Sequence, residues 1–297
     1  MPIELANSLI WTLSLSVLAY VAGRQFESAR KSLGSILFVV SLVGALIFAW
    51  RFSGRLHWTG ALPVNWVVFG SSLMPIPLCF SAGLARRTQC ISQRLRTITM
   101  FGLSGLAAAY LLTPVVRPVV SPIVLSPNTK WSEGVCLQSH PSSCAPAAAV
   151  TLLRLSGVAA EEGELARACL TSQHGTEPVG LFRGLQRFAP RPYRSPRVAS
   201  HDPEHWRERG QLPNISLVRF ERSSISSVRF ERSSATLNRL MGARGEGHAV
   251  VVLDRDAGGN WIIGDPAFGR TKWTDAQFRA RFTGDAIFLA QRKTRFE

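Results

Sequence analysis

The hydrophobic positions divide the chain into two unlike halves. Up to residue 116 they form continuous runs: Leu5–Ala22, Leu33–Trp50, Ala61–Ala85 and Ile98–Val116 contain no charged side chain. Each run has 18 or more residues, close to the ~20 that cross a bilayer core as a helix. Buried helices of soluble proteins rarely lack a polar face four times in succession. The pattern therefore predicts an all-α membrane region of four transmembrane helices over residues 1–117. Pro75 and Pro77 are expected to kink or break the third helix, and Pro114 to end the fourth. The first run follows Glu4 without a Lys or Arg, so it reads as a span and not as a cleaved signal peptide.

After this region the pattern changes. Residues 118–130 carry prolines at 118, 122 and 127 and read as a short stiff linker. From Trp131 to Glu297 apolar and polar positions mix as in a globular α+β domain of ordinary size. Helices are predicted over Pro146–Ser156, Glu161–Leu170 and Val179–Phe188. Strands are predicted over Ile215–Phe220, Ala249–Leu253, Trp261–Gly264 and Ala286–Ala290. The stretch Arg191–Arg209 reads as a loop. One tandem copy is plain, VRFERSS at Val218–Ser224 and again at Val228–Ser234. Its ten-residue period is far below that of repeat architectures, so it reads as a local insertion that lengthens a surface hairpin or loop.

Composition sharpens the division. Charged residues make up 18% of the 297 and apolar residues 46%, against about 25% charged in an ordinary soluble domain. The net charge is +15, which raises the question of nucleic acid. In the first 130 residues, however, 11 Lys/Arg against 2 Asp/Glu sit in short clusters between apolar runs, the arrangement that fixes membrane topology. Later cations are mixed with acids and form no stripe, so no nucleic-acid partner is expected; a lipid bilayer is. Loop one holds Arg24, Arg30 and Lys31, and loop three holds Arg86, Arg87, Arg94 and Arg96, against Arg51 and Arg55 in loop two. That bias puts loops one and three in the cytoplasm and both chain ends outside. No span carries a charge, so an ion or proton path has no support.

Candidate chemistry gathers in the second half. Cys144 precedes Ala-Pro-Ala-Ala-Ala and a run ending at Gly157, the proline-first, glycine-last frame of a helix. A cysteine at such a start meets unpaired amides and the positive end of the helix dipole, which favour a thiolate. The same position suits a small buried capping residue equally well. His248 precedes an apolar strand that turns at DRDAGGN and returns as WIIGD. Folding that hairpin about residue 256 or 257 sets His248 opposite Asp265, within reach of an imidazole–carboxylate contact. A solvated histidine and a turn-forming Asp-Pro are the plainer alternative. Gln138, six residues before Cys144, could donate to an oxyanion or be an ordinary surface glutamine.

Taken together, Gln138, five intervening residues, Cys144, the Pro-Ala-Ala helix and later GHAVVV and DPAFG resemble the bacteriocin-processing (double-glycine leader) peptidases, a papain-like cysteine peptidase family. The resemblance spans roughly residues 135–292. It implies a papain-like α+β fold and a cysteine endopeptidase that hydrolyses peptide bonds in a peptide or protein substrate. Cys144 would be nucleophile, His248 base, Asp265 its orienting partner and Gln138 the oxyanion donor; no metal or organic cofactor is implied. Gly175–Thr176 and Gly184–Gln186 resemble the segment leading to the family's substrate cleft. The chain departs from the family in having Ala145 where glycine follows the cysteine. It also holds no GxxxxGK[ST], hence no ATP-binding domain.

Other groupings compete. Cys136, His140, Cys144, Cys169 and His174 could be imagined around zinc, but their spacings fit no common finger. Cys136 and Cys169 could be a disulfide or two free thiols. His140 is a rival base, and His57, His201 and His205 read as solvated. A degenerate domain that binds peptides or a partner protein without cutting them is the alternative function.

Overall fold

The computed structural model describes residues 3–26, 31–51, 55–70, 74–85, 92–189, 194–220 and 246–291. They form two compact units, 1–120 and 121–297. Cys90 and most of the VRFERSS duplication, from residue 221 on, lie outside the described residues.

The first unit is helical: α1 (Ile3–Gln25), α2 (Lys31–Arg51), α3 (Val64–Gly70), α4 (Pro75–Ala85) and α5 (Gln93–Val120). Among the described residues two stretches are long and apolar enough to cross a bilayer, Ala6–Gln25 and Gln93–Pro114. This corrects the expectation of four. The second run does form α2, but its described apolar stretch, Leu33–Phe48, is shorter than a span. The third is divided between α3 and α4. A proline ring clashes with the preceding helical turn and offers no amide hydrogen, so Pro75 fits the opening of a new helix better than the middle of an old one. Pro114 does not end the fourth helix. α5 runs through both Pro114 and Pro118, so the expected linker begins helical. In a long apolar helix, one lost hydrogen bond at a proline is small beside those retained.

Helices α1 and α4 meet at glycine. A Cβ on Gly83 would collide with the Tyr20 carbonyl oxygen, and one on Gly23 with that of Phe80; only bare backbone permits this approach. Along α1, Ser8, Thr12 and Ser16 are buried at four-residue spacing. Thr12 donates to the Ser8 carbonyl (2.9 Å) and Ser16 to that of Thr12 (2.8 Å), so their hydroxyls are satisfied within the helix.

The second unit is α+β. Helices α6 (Cys144–Leu155), α7 (Glu162–Ala168) and α8 (Pro178–Phe188) precede all six strands of an antiparallel sheet. Its strands are β3 (Arg194–Val198), β4 (Asn214–Phe220), β5 (Glu246–Arg255), β6 (Trp261–Asp265), β7 (Gly269–Trp273) and β8 (Phe282–Gln291), in the order β3-β8-β4-β5-β6-β7. A separate short hairpin pairs β1 (Lys130–Ser132) with β2 (Val135–Leu137). Alternation along the strands gives the sheet two buried faces. One carries Ile215, Val251 and Ile287, all fully buried, and α6 packs across β5 and β4. The other carries Val218, Val250, Val252, Trp261 and Ile263, which join Trp206 and Phe278 in one cluster. Phe278 comes from α9 (Asp275–Arg281).

The expected loop Arg191–Arg209 contains a strand, β3, which pairs with β8 at the sheet edge. Pro196 lies inside it, where a missing N–H costs little if it faces away from the ladder.

Candidate active site

Cys144 opens α6. The turn before it is pinned by hydrogen bonds: Ser143 Oγ accepts from the His140 N–H (3.0 Å) and donates to the His140 carbonyl (2.8 Å). Ser142 N–H donates to His140 Nδ1 (3.1 Å). The Cys144 residue remains partly exposed. Burial works to raise its thiol pKa, but this is outweighed by the hydrogen bond and positive charge of His248, helped by the backbone N–H groups of Ala249 and Ala145. The net effect holds the thiol below its ordinary value, the direction that favours the nucleophilic form.

His248 lies on β5 opposite Val218 of β4. Its Nε2 is 2.8 Å from Asp265 Oδ1, which leaves Nδ1 for the thiol. Burial opposes the imidazolium, yet the hydrogen bonds to Asp265 and Cys144 and the charges of both raise its pKa to about 10. The two shifts point the same way, toward a proton on the imidazole and a charge on sulfur. Phe220 flanks the ring, with centroids 5.7 Å apart. Asp265 is 2% exposed; its Oδ1 also accepts the Ala267 N–H at 2.9 Å, so the carboxylate is fixed before it meets the histidine.

The register that brings His248 and Asp265 together is not the one first expected. The hairpin turns on residue 258, with Arg255 opposite Trp261 and Asp256 N–H bonded to the Asn260 carbonyl at 2.9 Å. Continued unbroken, that pairing would set Asp265 against Val251 and send His248 to the other face. A bulge between Val252 and Asp254 shifts the register by one, so that Val251 pairs with Gly264. Asp265 then falls level with Val250, one same-face step from His248. Such diagonal neighbours are ~7–8 Å apart at the backbone, a gap that a histidine ring can bridge. The one-residue bulge thus decides which face the histidine takes.

Gln138 is close in the chain but differently engaged. Its backbone N–H donates to the Pro266 carbonyl (2.8 Å), beside Asp265. Its side-chain Nε2 donates to the carbonyls of His140 (3.2 Å) and Pro141 (3.3 Å), and its Oε1 is buried with no hydrogen-bond partner. The structure therefore brings Cys144, His248 and Asp265 into one hydrogen-bonded chain and holds Gln138 in the turn ahead of the cysteine. His140, the rival base, is spent on that same turn.

The remaining sequence candidates find structural explanations. Cys136 and Cys169 are free and buried. Burial first, then the charges of Glu162 and Glu161, push the Cys136 thiol to about 12; burial pushes Cys169 to about 12 as well, against the charge of Arg183 and the Gly184 N–H. Side chains at Gly180 and Gly184 would strike the Cys169 carbonyl oxygen and sulfur, so those glycines let α8 pack closely. Gly175 adopts φ +94 in a turn closed on Ser172. His205 Nδ1 meets Asp202 (2.6 Å) and His201 Nδ1 the Gly284 carbonyl (2.8 Å), both exposed. Three neighbours escaped the sequence: Phe220 against the imidazole, the Ala249 N–H at the thiol, and Glu162 on the Ser139 N–H. Only the Glu-Glu-Gly-Glu opening of α7 could have drawn attention to the last.

No family model and no curated protein matches the chain. Solved structures do. A double glycine motif protease from an AMS/PCAT transporter, in complex with its leader peptide, is similar at 16% identity and a TM-score of 0.41, over 57% of this chain and 99% of that one. The peptidase domain of Streptococcus ComA is similar at 20% identity and TM-score 0.37, covering 52% and 96%. That of Streptococcus mutans ComA follows at 22% and 0.33, covering 53% and 98%. The similar structures are thus one double glycine motif protease and two transporter peptidase domains.

Proposed function

We propose that this chain is a membrane-anchored cysteine peptidase of papain-like fold that cleaves peptides or proteins through Cys144. The single observation that carries the reading is the unbroken contact chain Cys144–His248–Asp265, with the thiol pKa lowered and the imidazole pKa raised. The Cys144 thiolate attacks the scissile carbonyl carbon, and the C=O electron pair moves to oxygen. Collapse of this tetrahedral species breaks the C–N bond, and the imidazolium of His248 delivers its proton to the leaving amine. The acyl group remains on sulfur as a thioester. Water, deprotonated by the now neutral His248, attacks that thioester and releases the acid, returning sulfur as thiolate and His248 as imidazolium. Asp265 keeps the ring oriented throughout. Gln138 Nε2 and a backbone amide at the start of α6 would stabilise the oxyanion, with Gln138 exchanging one of its carbonyl partners for it.

The two apolar stretches of the first unit would anchor the chain in a bacterial cell membrane. With two spans, the segment between them carries Arg30, Lys31, Arg51, Arg55, Arg86 and Arg87, which reads as a cytoplasmic loop and puts both ends of the chain outside. Peptides with Gly-Gly leaders, implied by the sequence resemblance, are the first substrates to try.

One observation favours a second reading, a peptide-binding domain that does not cut. Gln138 donates to protein carbonyls and not toward the sulfur. Incubating the purified full chain with a leader-peptide pool and sequencing new termini by mass spectrometry separates the two. Cleavage by wild type that disappears in Cys144→Ala, by a factor on the order of 10⁴ or more, supports the peptidase. Equal peptide retention by both proteins, with no new termini, supports the binding domain.

A further inference from the structure

We infer that Glu162 is a positioning residue for the oxyanion side of the site, a role that rests on the peptidase reading above. Glu162 is 1% exposed, a depth at which a carboxylate is rare unless something requires it. Its Oε1 accepts the backbone N–H of Ser139 at 3.0 Å, while its Oε2 is buried with no hydrogen-bond partner. Ser139 immediately follows Gln138 and begins the turn that ends at Cys144. Two of the neighbouring links are short-range, Gln138 to His140 and Pro141 and His140 to Ser143, while Ser142 donates to the Gln173 carbonyl 31 residues on. Glu162 ties the first residue of that turn, Ser139, next to Gln138, to α7, whose first residue it is and whose start is set by the Glu161–Glu164 capping box.

The cost and the placement fit one purpose. A buried carboxylate used for a single backbone amide stabilises the fold less than an apolar residue would. It does fix the backbone on which the Gln138 side chain swings. Gln138 Oε1 is likewise buried without a partner, so the amide gains nothing from the protein on that side and its orientation depends on where the backbone holds it. A donor must lie within a few tenths of an ångström of the developing oxyanion to be effective. Glutamine at 162 would keep the acceptor for Ser139; alanine would leave that N–H unpaired.

Two reagents that react at the same sulfur separate this role from mere stability. Iodoacetamide is attacked at an sp³ carbon: the S–C bond forms, iodide leaves, and no oxyanion arises. With p-nitrophenyl acetate the thiolate adds to the carbonyl, an oxyanion forms, and p-nitrophenolate leaves to give the acetyl thioester. Both rates are read on the purified full chain, at the Cys144-containing peptide by mass spectrometry and, for the ester, by the nitrophenolate burst. Glu162→Ala is expected to slow acetylation about tenfold or more, a share of the ~10²–10³ lost with a whole oxyanion donor, while alkylation stays within twofold. Glu162→Gln restores acetylation. Gln138→Ala slows it as well, and the double variant Glu162→Ala/Gln138→Ala is no slower than Gln138→Ala alone. Unchanged acetylation in Glu162→Ala, or equal loss of both reactions, overturns the inference while leaving the peptidase reading intact. A wild type whose burst is no greater than that of Cys144→Ala overturns the peptidase reading and this inference with it.

Discussion

The two units handle the same side chains in opposite ways. In residues 1–120, Trp11, Leu18, Ile98 and Phe101 face outward while Ser8, Thr12, Ser16 and Ser81 are buried. In residues 121–297, Trp206, Trp261 and Phe278 are enclosed, with Trp206 edge-on to both Trp261 and Phe278 at 5.9 Å. Large exposed apolar side chains there, among the described residues, are confined to Val124, Leu155 and Phe268. The difference teaches that hydropathy reports the solvent a unit is built for, and only indirectly its fold. In the membrane anchor proposed above, hiding leucine gains little. Such an anchor gains by bringing backbones together, as at Gly23 and Gly83, and by satisfying hydroxyls within helices. The sheet unit works by excluding water, which also makes it the unit able to shift pKa values.

The comparison can be broken at several points. The largest effect is expected in the second unit. Asp265→Asn preserves size but removes the charge that holds the His248 imidazolium. It should lower peptide hydrolysis ~10²–10⁴-fold, read as kcat with a cleaved leader peptide. Next comes the outward apolar surface of the first unit. Leu18 is 64% exposed inside a candidate span. Leu18→Arg should therefore cost about 2.5–3.5 kcal/mol of insertion, seen as loss from the carbonate-resistant membrane fraction. An undiminished membrane fraction would mean Leu18 does not meet hydrocarbon. Smaller still, Gly83→Ala forces a methyl into the Tyr20 carbonyl and should cost about 1–3 kcal/mol, measured as a lower melting temperature in detergent. An alanine tolerated without loss would refute the close helix crossing.

How much of this was legible in the sequence depended on the range of the forces involved. Local signals carried the helix starts: Pro146 and Gly157 frame α6, and Pro178 opens α8. The residue types and order of the Cys144–His248–Asp265 contact chain were readable as well, because a helix-leading cysteine and a hairpin bearing histidine and aspartate are short-range patterns. The register was not. A turn centred on residue 258 and a bulge after Val252 together moved the pairing by two residues, and only their combination kept His248 and Asp265 on one face. β3 was hidden because Pro196 reads as a breaker, although an edge strand accepts it. Glu162 was invisible because its partner is a backbone amide 23 residues away, and no residue type announces that. In the first unit continuous apolarity was overread as four spans. Pro75 divided one run, while α5 ignored Pro114.

The ion pair at Cys144 is the centre of the account, and its pH dependence tests it most directly. The sign is fixed by the two shifts. A lowered thiol pKa keeps the thiolate present as pH falls, and a raised imidazole pKa keeps the imidazolium beside it as pH rises toward about 10. The rate of iodoacetamide alkylation at Cys144 in the full chain should hold nearly level well below the free-thiol value of ~8.5. In His248→Ala the rate should fall over that range and the profile move to higher pH, because the burial that raises the thiol pKa is then opposed only by the Ala249 and Ala145 amides. A wild-type profile that titrates at or above the free-thiol value, and is unmoved by His248→Ala, would contradict the account.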